Sequence, residues 1–241
     1  MDLTPLPDLP DRVRGVVPSE RLGLVTEYAQ MLATDGVVRG LLGPREVPRL
    51  WDRHILNCAW LTELISEGRT VCDIGSGAGL PGMVVALLRP DLQVTLVEPL
   101  LRRTVFLDEV VESLALDNVE VVRGRAESLH GSRLFGVVTS RAVAPLPRLL
   151  DWSMPLVDAG GELIALKGSS VADEISASTA ELRRHRCGEP EVVRLGGDED
   201  TVPTYALRVS RVDPGALPLR PGGKSRGGRS GRRPARNPRW S

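Results

Sequence analysis

With 241 residues, 41% of them hydrophobic, the chain has enough apolar side chains for one substantial core, and no run reaches the roughly 20 apolar residues of a membrane span. Its 31 basic and 31 acidic residues cancel, yet eight bases and no acid follow Asp213, so a body with eight excess acids is joined to a basic Gly/Arg/Pro segment. Three scattered cysteines, Cys58, Cys72 and Cys187, have no His or Cys at ligand spacing, which argues against a disulfide framework or a zinc knuckle, and no metal is expected.

Residues 1–18 hold Pro5, Pro7, Pro10, Gly15 and Pro18 and predict a flexible lead-in; acids stand where a secretory signal carries bases, so a cytoplasmic protein is expected. From Ser19, an N-cap candidate, Leu22, Val25, Ala29 and Leu32 recur at helical spacing to about Thr34. Gly36, Gly40, Gly43 and Pro44 interrupt. A second helix is predicted from Val47 to Ser66, with Leu50, Trp51, His54, Ile55, Cys58, Leu61, Leu64 and Ile65 on one apolar face. Residues 19–69 thus form an expected helical cap. Within it, Trp51 and His54 either belong to the buried face, or Arg53 and His54 turn toward a ligand mouth to meet a phosphate or a base.

The stretch Thr70 to Pro99 organises the rest. A short apolar run, Val71 to Ile74, is followed by Gly75, Gly77, Gly79 and Gly82, then by an apolar segment of helical length, a breaker cluster at Arg89 to Asp91, and a second apolar strand ending on Glu98. Strand, glycine turn, helix, strand and acid is the pattern of a nucleotide-type site at the carboxyl edge of a parallel sheet. Glycines allow positive φ and close approach of backbone to ligand. Asp73 can accept from a ligand amine or orient the loop, and Glu98 can accept both hydroxyls of a ribose. The glycines satisfy both GxGxG and GxGxxG, which leaves S-adenosylmethionine (SAM) and a dinucleotide as alternatives. Pro81 favours SAM, because a pyrophosphate wants free amides where proline has none.

Leu100 to Leu116 then reads as a helix, Val119 to Val122 as a third strand and Leu134 to Thr139 as a fourth. Ala126 and Glu127 follow the third strand, where a SAM site keeps its adenine. Arg141 closes the fourth and is placed to hold a carboxylate or RNA phosphate, or else to pair with a helix acid. A helix from Pro147, a fifth strand from Glu162 to Leu166, a polar helix from Val171 to His185 and two final strands, Val192 to Leu195 and Val202 to Ser210, complete the chain. The fifth strand ends on Lys167, at the same edge as Arg141 and Glu98. The expected fold is a doubly wound α/β sheet of about seven strands, residues 70–213, with its last strand antiparallel. Residues 214–241 are expected to be a disordered basic tail.

The runs RHIL, DIGSGAGLPG, Glu98 with Arg102 and Arg103, RAE, SRA and ALKG together resemble the bacterial 16S ribosomal RNA methyltransferase G family, also called glucose-inhibited division protein B. The resemblance spans about Arg45 to Val209. It implies SAM-dependent methylation at N7 of one guanine in a 16S loop near the decoding centre, with 16S rRNA or the 30S subunit as partner; a monomer is expected. It also implies SAM contacts at Gly75, Leu80, Ala126, Glu127 and Arg141, to which Asp73, Gly77 and Glu98 are added from the glycine-loop reading. Lys167 looks like the family's lysine at the fifth strand end. Arg141 and Lys167 are expected to position the reactants, since guanine N7 has no proton for a general base to remove. Arg53, His54 and Lys167 are the expected substrate contacts. A SAM enzyme acting on another RNA or a small molecule, or a noncatalytic RNA- or nucleotide-binding protein, remains as the alternative.

Overall fold

In the computed structural model, residues 4–141, 143–196 and 203–212 are described; the basic segment 214–241 and most of the GGDED link lie outside them. Helix α1 (Asp11–Val16) stands where the prolines predict a loose lead-in. Val13 and Val17 are buried, and the Trp51 indole donates to the Pro7 carbonyl at 2.8 Å, so two apolar anchors and one hydrogen bond hold this stretch. A 3-10 turn, Ser19–Arg21, leads into α2 (Leu22–Met31), which widens into a π-helical turn, Leu32–Gly36. Ser19 makes no cap bond to the helix. Val25, Tyr28, Ala29 and Leu32 form the buried stripe at the spacing the sequence predicts.

The single helix expected from Val47 to Ser66 is instead a succession of tight and wide turns. It is 3-10 over Pro44–Arg49, π-helical over Leu50–Leu56, α-helical over α3 (Asn57–Ala59) and 3-10 again over Trp60–Leu64. Pro48 sits inside the first turn and has no amide to donate, so a regular α-ladder cannot run through it. The apolar face survives: Leu50, Trp51, His54, Ile55, Cys58 and Leu61 are all buried.

The sheet then begins. In chain order come β1 (Thr70–Ile74), α4 (Gly82–Leu88), β2 (Gln93–Glu98), α5 (Leu101–Ser113), β3 (Val119–Arg123), β4 (Phe135–Arg141) and α6 (Leu146–Ser153). They are followed by β5 (Val157–Lys167), α7 (Val171–Ala177), α8 (Thr179–Arg184), β6 (Glu191–Leu195) and β7 (Thr204–Ser210). The spatial order is β3-β2-β1-β4-β5-β7-β6. Strands β1 to β5 run parallel and β7 is antiparallel to both of its neighbours, as expected for the closing strand. The direction of winding switches between β1 and β4, and ligand crevices open at such a switch point.

Strand β1 sorts its side chains by the period of two. Val71 joins the apolar layer made with the cap, α4 and α5, while Cys72 and Ile74 join the layer made with α6 and β5. Every residue of α4 is buried, because it lies between the cap and the sheet. Cys72 is the small core residue the sequence suggests, its thiol pushed up by burial. Strand β5 starts at Val157, ahead of the predicted Glu162, and the predicted helix over 171–185 breaks at the buried Ser178, whose hydroxyl donates to the Glu174 carbonyl at 2.6 Å.

Candidate cofactor and substrate cleft

The loop between β1 and α4 is built by its glycines. Gly75, Gly77 and Gly79 have φ of 68°, 60° and 102°, a region that side chains disfavour. A Cβ on Gly79 would stand 2.8 Å from the Tyr28 hydroxyl, and one on Gly82 would stand 2.4 Å from Leu96 and 2.7 Å from Asp73. Six of the loop's amides are spent on the protein itself. Gly75 and Ser76 donate to the Val97 carbonyl at 2.8 and 3.1 Å, Gly79 and Leu80 to the Ser76 carbonyl at 2.7 and 3.1 Å, Gly77 to Glu98 at 3.0 Å and Gly82 to Asp73 at 2.9 Å. Position 81 is proline. A pyrophosphate, which needs several such amides, finds them engaged, so the loop fits a phosphate-free ligand better.

Two carboxylates sit beneath this loop. Asp73 is fully buried; one oxygen accepts from the Gly82 amide and the other has no partner. Burial pushes it up to about 7, against the pull of that amide. One oxygen thus orients the loop through Gly82, and the other keeps its acceptor positions unused. Glu98 is 1% exposed. One of its oxygens accepts from Gly77 and from the Arg103 guanidinium at 3.2 Å, and the other from the Leu100 amide at 3.0 Å. A carboxylate offers about four acceptor positions, so one remains for a ligand hydroxyl; a second hydroxyl requires Arg103 to give way.

A cavity of about 1470 Å³ opens beside the loop, larger than the roughly 300–1,000 Å³ of most single-ligand pockets. Gly75, Gly77, Leu80, Arg53, His54, Arg103, Arg141 and Lys167 all line it. The cap therefore supplies part of its wall. Arg141 at the end of β4 reaches His54 Nδ1 at 3.0 Å, His54 Nε2 reaches Glu46 at 2.9 Å, and Arg53 stands 3.5 Å from the same Glu46 carboxylate. Arg141 is thus tied to a cap histidine, not to a helix acid. Burial chiefly, and then the Arg141 cation, hold His54 below its ordinary value, while Glu46 is lowered by its bond to His54. Across the cavity, Lys167 is 9% exposed and donates to Glu174 of α7 at 2.7 Å and to the Ala144 carbonyl at 3.2 Å.

Comparison with known proteins falls on this same part of the chain. The family model for rRNA small subunit methyltransferase G matches residues 21–202. A relative so named from Nocardioides sp. is 59% identical over 91% of this chain and 90% of its own length. This chain belongs to the rRNA small subunit methyltransferase G family. Other relatives of that name, from Thermobifida fusca and Salinispora arenicola, are each 52% identical, covering 87% and 96% of this chain and 92% and 98% of their own. Among solved structures, a SAM-dependent O-methyltransferase from Thermotoga maritima superposes with a TM-score of 0.54 at 14% identity, over 70% of each chain. The AdoMet complex of M. jannaschii TYW2 superposes with 0.53 at 15% identity, over 66% of this chain and 76% of that one. Both carry the same fold.

Within the family frame, the residues predicted from sequence divide into two groups. Gly75, Gly77, Leu80, Arg53, His54, Arg141 and Lys167 share the cavity wall. Asp73 and Glu98 lie under the loop, and Ala126 and Glu127 occupy a 3-10 turn, Ala126–Leu129, following β3 at the same sheet edge, with Ala126 buried and Glu127 exposed. The sequence reading missed Tyr28, Glu46 and Glu174, and placed Arg103 in a helix without a role. Tyr28 donates to the Ala78 carbonyl at 2.8 Å and so fastens α2 to the glycine loop. Its one signal was a tyrosine on the apolar stripe of α2, whose hydroxyl needs a partner when buried.

Proposed function

We propose that this chain binds SAM along Gly75, Gly77 and Leu80, with the sugar toward Glu98 and the adenine toward Ala126 and Glu127, and methylates N7 of a guanine in 16S rRNA. As a member of its family it is a SAM-dependent rRNA methyltransferase. The observation that carries the reading is the meeting, in one cavity, of a glycine loop with six of its amides spent and the cations Arg53, Arg141 and Lys167. SAM fits that loop because it brings no phosphate, and its sulfonium supplies an activated methyl group. Guanine N7 presents a lone pair and no proton, so the chain need not supply a base. Its work is alignment, which is worth roughly 7–11 kcal/mol where bound reactants sit in line. Arg53 and Arg141 are assigned to phosphate or base contacts, Arg141 also to the cofactor side, and Lys167 to the nucleotide. Leu80 and Leu146 keep part of the wall apolar.

We assign the enzyme to the cytoplasm, as a monomer; no helix among the described residues is long and apolar enough to cross a membrane. The deciding experiment incubates the protein with methyl-tritiated SAM and either 30S subunits or naked 16S rRNA lacking the modification, then maps label by borohydride reduction and aniline cleavage. Label at a single guanine N7 is the expected result. Label at another atom, or none in RNA while a small molecule is methylated, rejects the reading.

A further inference from the structure

His54 faces charged groups from three directions: Glu46 from the 3-10 turn ahead of it, Arg141 from the end of β4 and its own neighbour Arg53. It is 8% exposed, and both ring nitrogens are engaged by protein. A guanidinium has donors only. The Arg141 nitrogen 3.0 Å from Nδ1 therefore requires a lone pair there, and the proton must sit on Nε2, 2.9 Å from the Glu46 carboxylate. The tautomer follows from the partners. We propose that His54 is a positioning residue that holds the Arg141 guanidinium over the cavity through its unprotonated Nδ1, with Glu46 fixing the tautomer.

Protonation of Nδ1 would set two donors face to face and release Arg141, so the strap holds only while His54 is neutral. Its burial and the adjacent guanidinium both favour that form. The π-helical turn Leu50–Leu56 brings His54 to this point, and wide turns of this kind recur at functional sites. Arg141 also donates to the Arg53 carbonyl at 3.4 Å, a second tie to the same turn. Cap and sheet are thus joined at a residue assigned to the reactants. What Arg141 then does to the reactants rests on the function proposed above; the strap itself does not.

The chain has three histidines, His54, His130 and His185, few enough to follow individually by nitrogen-15 imidazole NMR, with His54→Asn identifying the signal. The expected result at pH 7 is a neutral ring protonated at Nε2, titrating below 6.5. In Arg141→Ala the midpoint should rise, since a repelling cation is gone, and in Glu46→Gln it should fall. Methylation should drop about tenfold to a hundredfold in His54→Ala, with an acid limb in the wild-type rate profile at the His54 midpoint. His54→Asn, which keeps an oxygen near the Nδ1 position, should recover most of that loss. A proton on Nδ1, a midpoint indifferent to Arg141→Ala, or equal rates for His54→Ala and His54→Asn overturns the proposal. If the NMR results hold but rRNA takes no label, the functional reading fails and the strap stands.

Discussion

Asp73 shows what one carboxyl under a glycine loop costs. In the unfolded chain it gives up its proton near 3.8, whereas in the folded chain it keeps it to about 7. Between those values the native state binds more protons, so this residue's contribution is fullest below about pH 4 and is lost as pH rises through 7. Asp73→Asn keeps an acceptor for the Gly82 amide and removes the titration. Unfolding free energies of wild type and Asp73→Asn from urea titrations, compared at pH 4.5 and 7.5, should separate in favour of the variant at the higher pH, by about 3 kcal/mol. A gap independent of pH would mean that the carboxyl does not titrate in this range. Residues of this kind were half legible. That one acid stands near the end of β1 and another closes β2 was read from the order of strand, glycines and strand. That Asp73 turns inward to an amide, and that Arg103 already occupies Glu98, depends on partners across the fold and has no local pattern.

At the scale of elements, α2 acts on the glycine loop from outside the sheet. The Tyr28 hydroxyl, fully buried and raised by that burial, is the single polar link from α2 to the Ala78 carbonyl among the described residues. Tyr28→Phe leaves that carbonyl without its donor and should cost about 1–3 kcal/mol in thermal or urea unfolding. Calorimetry with SAM should show affinity falling several-fold, because the loop is no longer pinned; unchanged affinity would confine Tyr28 to a structural part. Such a contact links residues 28 and 78, too far apart for any periodicity to report. The strands were easier, since short apolar runs bounded by glycines and breaker residues marked them. The exception is the start of β5, expected at Glu162 and found at Val157, so that Gly160 and Gly161 lie inside the strand. In the fold Gly160 has φ of 73°, and the register against β4 shifts between Phe135 and Val137, so the pair marks an irregularity inside a longer strand. The cap turns were misread for a related reason: apolar spacing near 3.6 does not distinguish an α-helix from 3-10 and π turns laid end to end.

Over the whole molecule, a formal charge of zero coexists with a cavity lined by Arg53, Arg103, Arg141 and Lys167. RNA affinity should accordingly depend on local cations and fall with salt. Removal of residues 214–241 deletes eight bases and no acid. If that segment contacts phosphates, the slope of log affinity against log salt, measured by filter binding, should flatten by roughly 0.7 per lost contact, with SAM affinity unchanged. An identical slope would show that the segment takes no part. The reversed closing strand was legible, because a short link between two apolar runs at the chain's end permits a hairpin and not a crossover.

That reversal has a practical side. Tyr205 pairs with Lys167 beside the cavity, and Ser210 pairs with Glu162, five residues back along β5. The backbone therefore travels roughly 17 Å away from the cleft before it reaches Val212. A dye or an immobilising linker joined beyond Val212 begins on the side remote from the cavity, and the same attachment at Thr204 would sit at the rim.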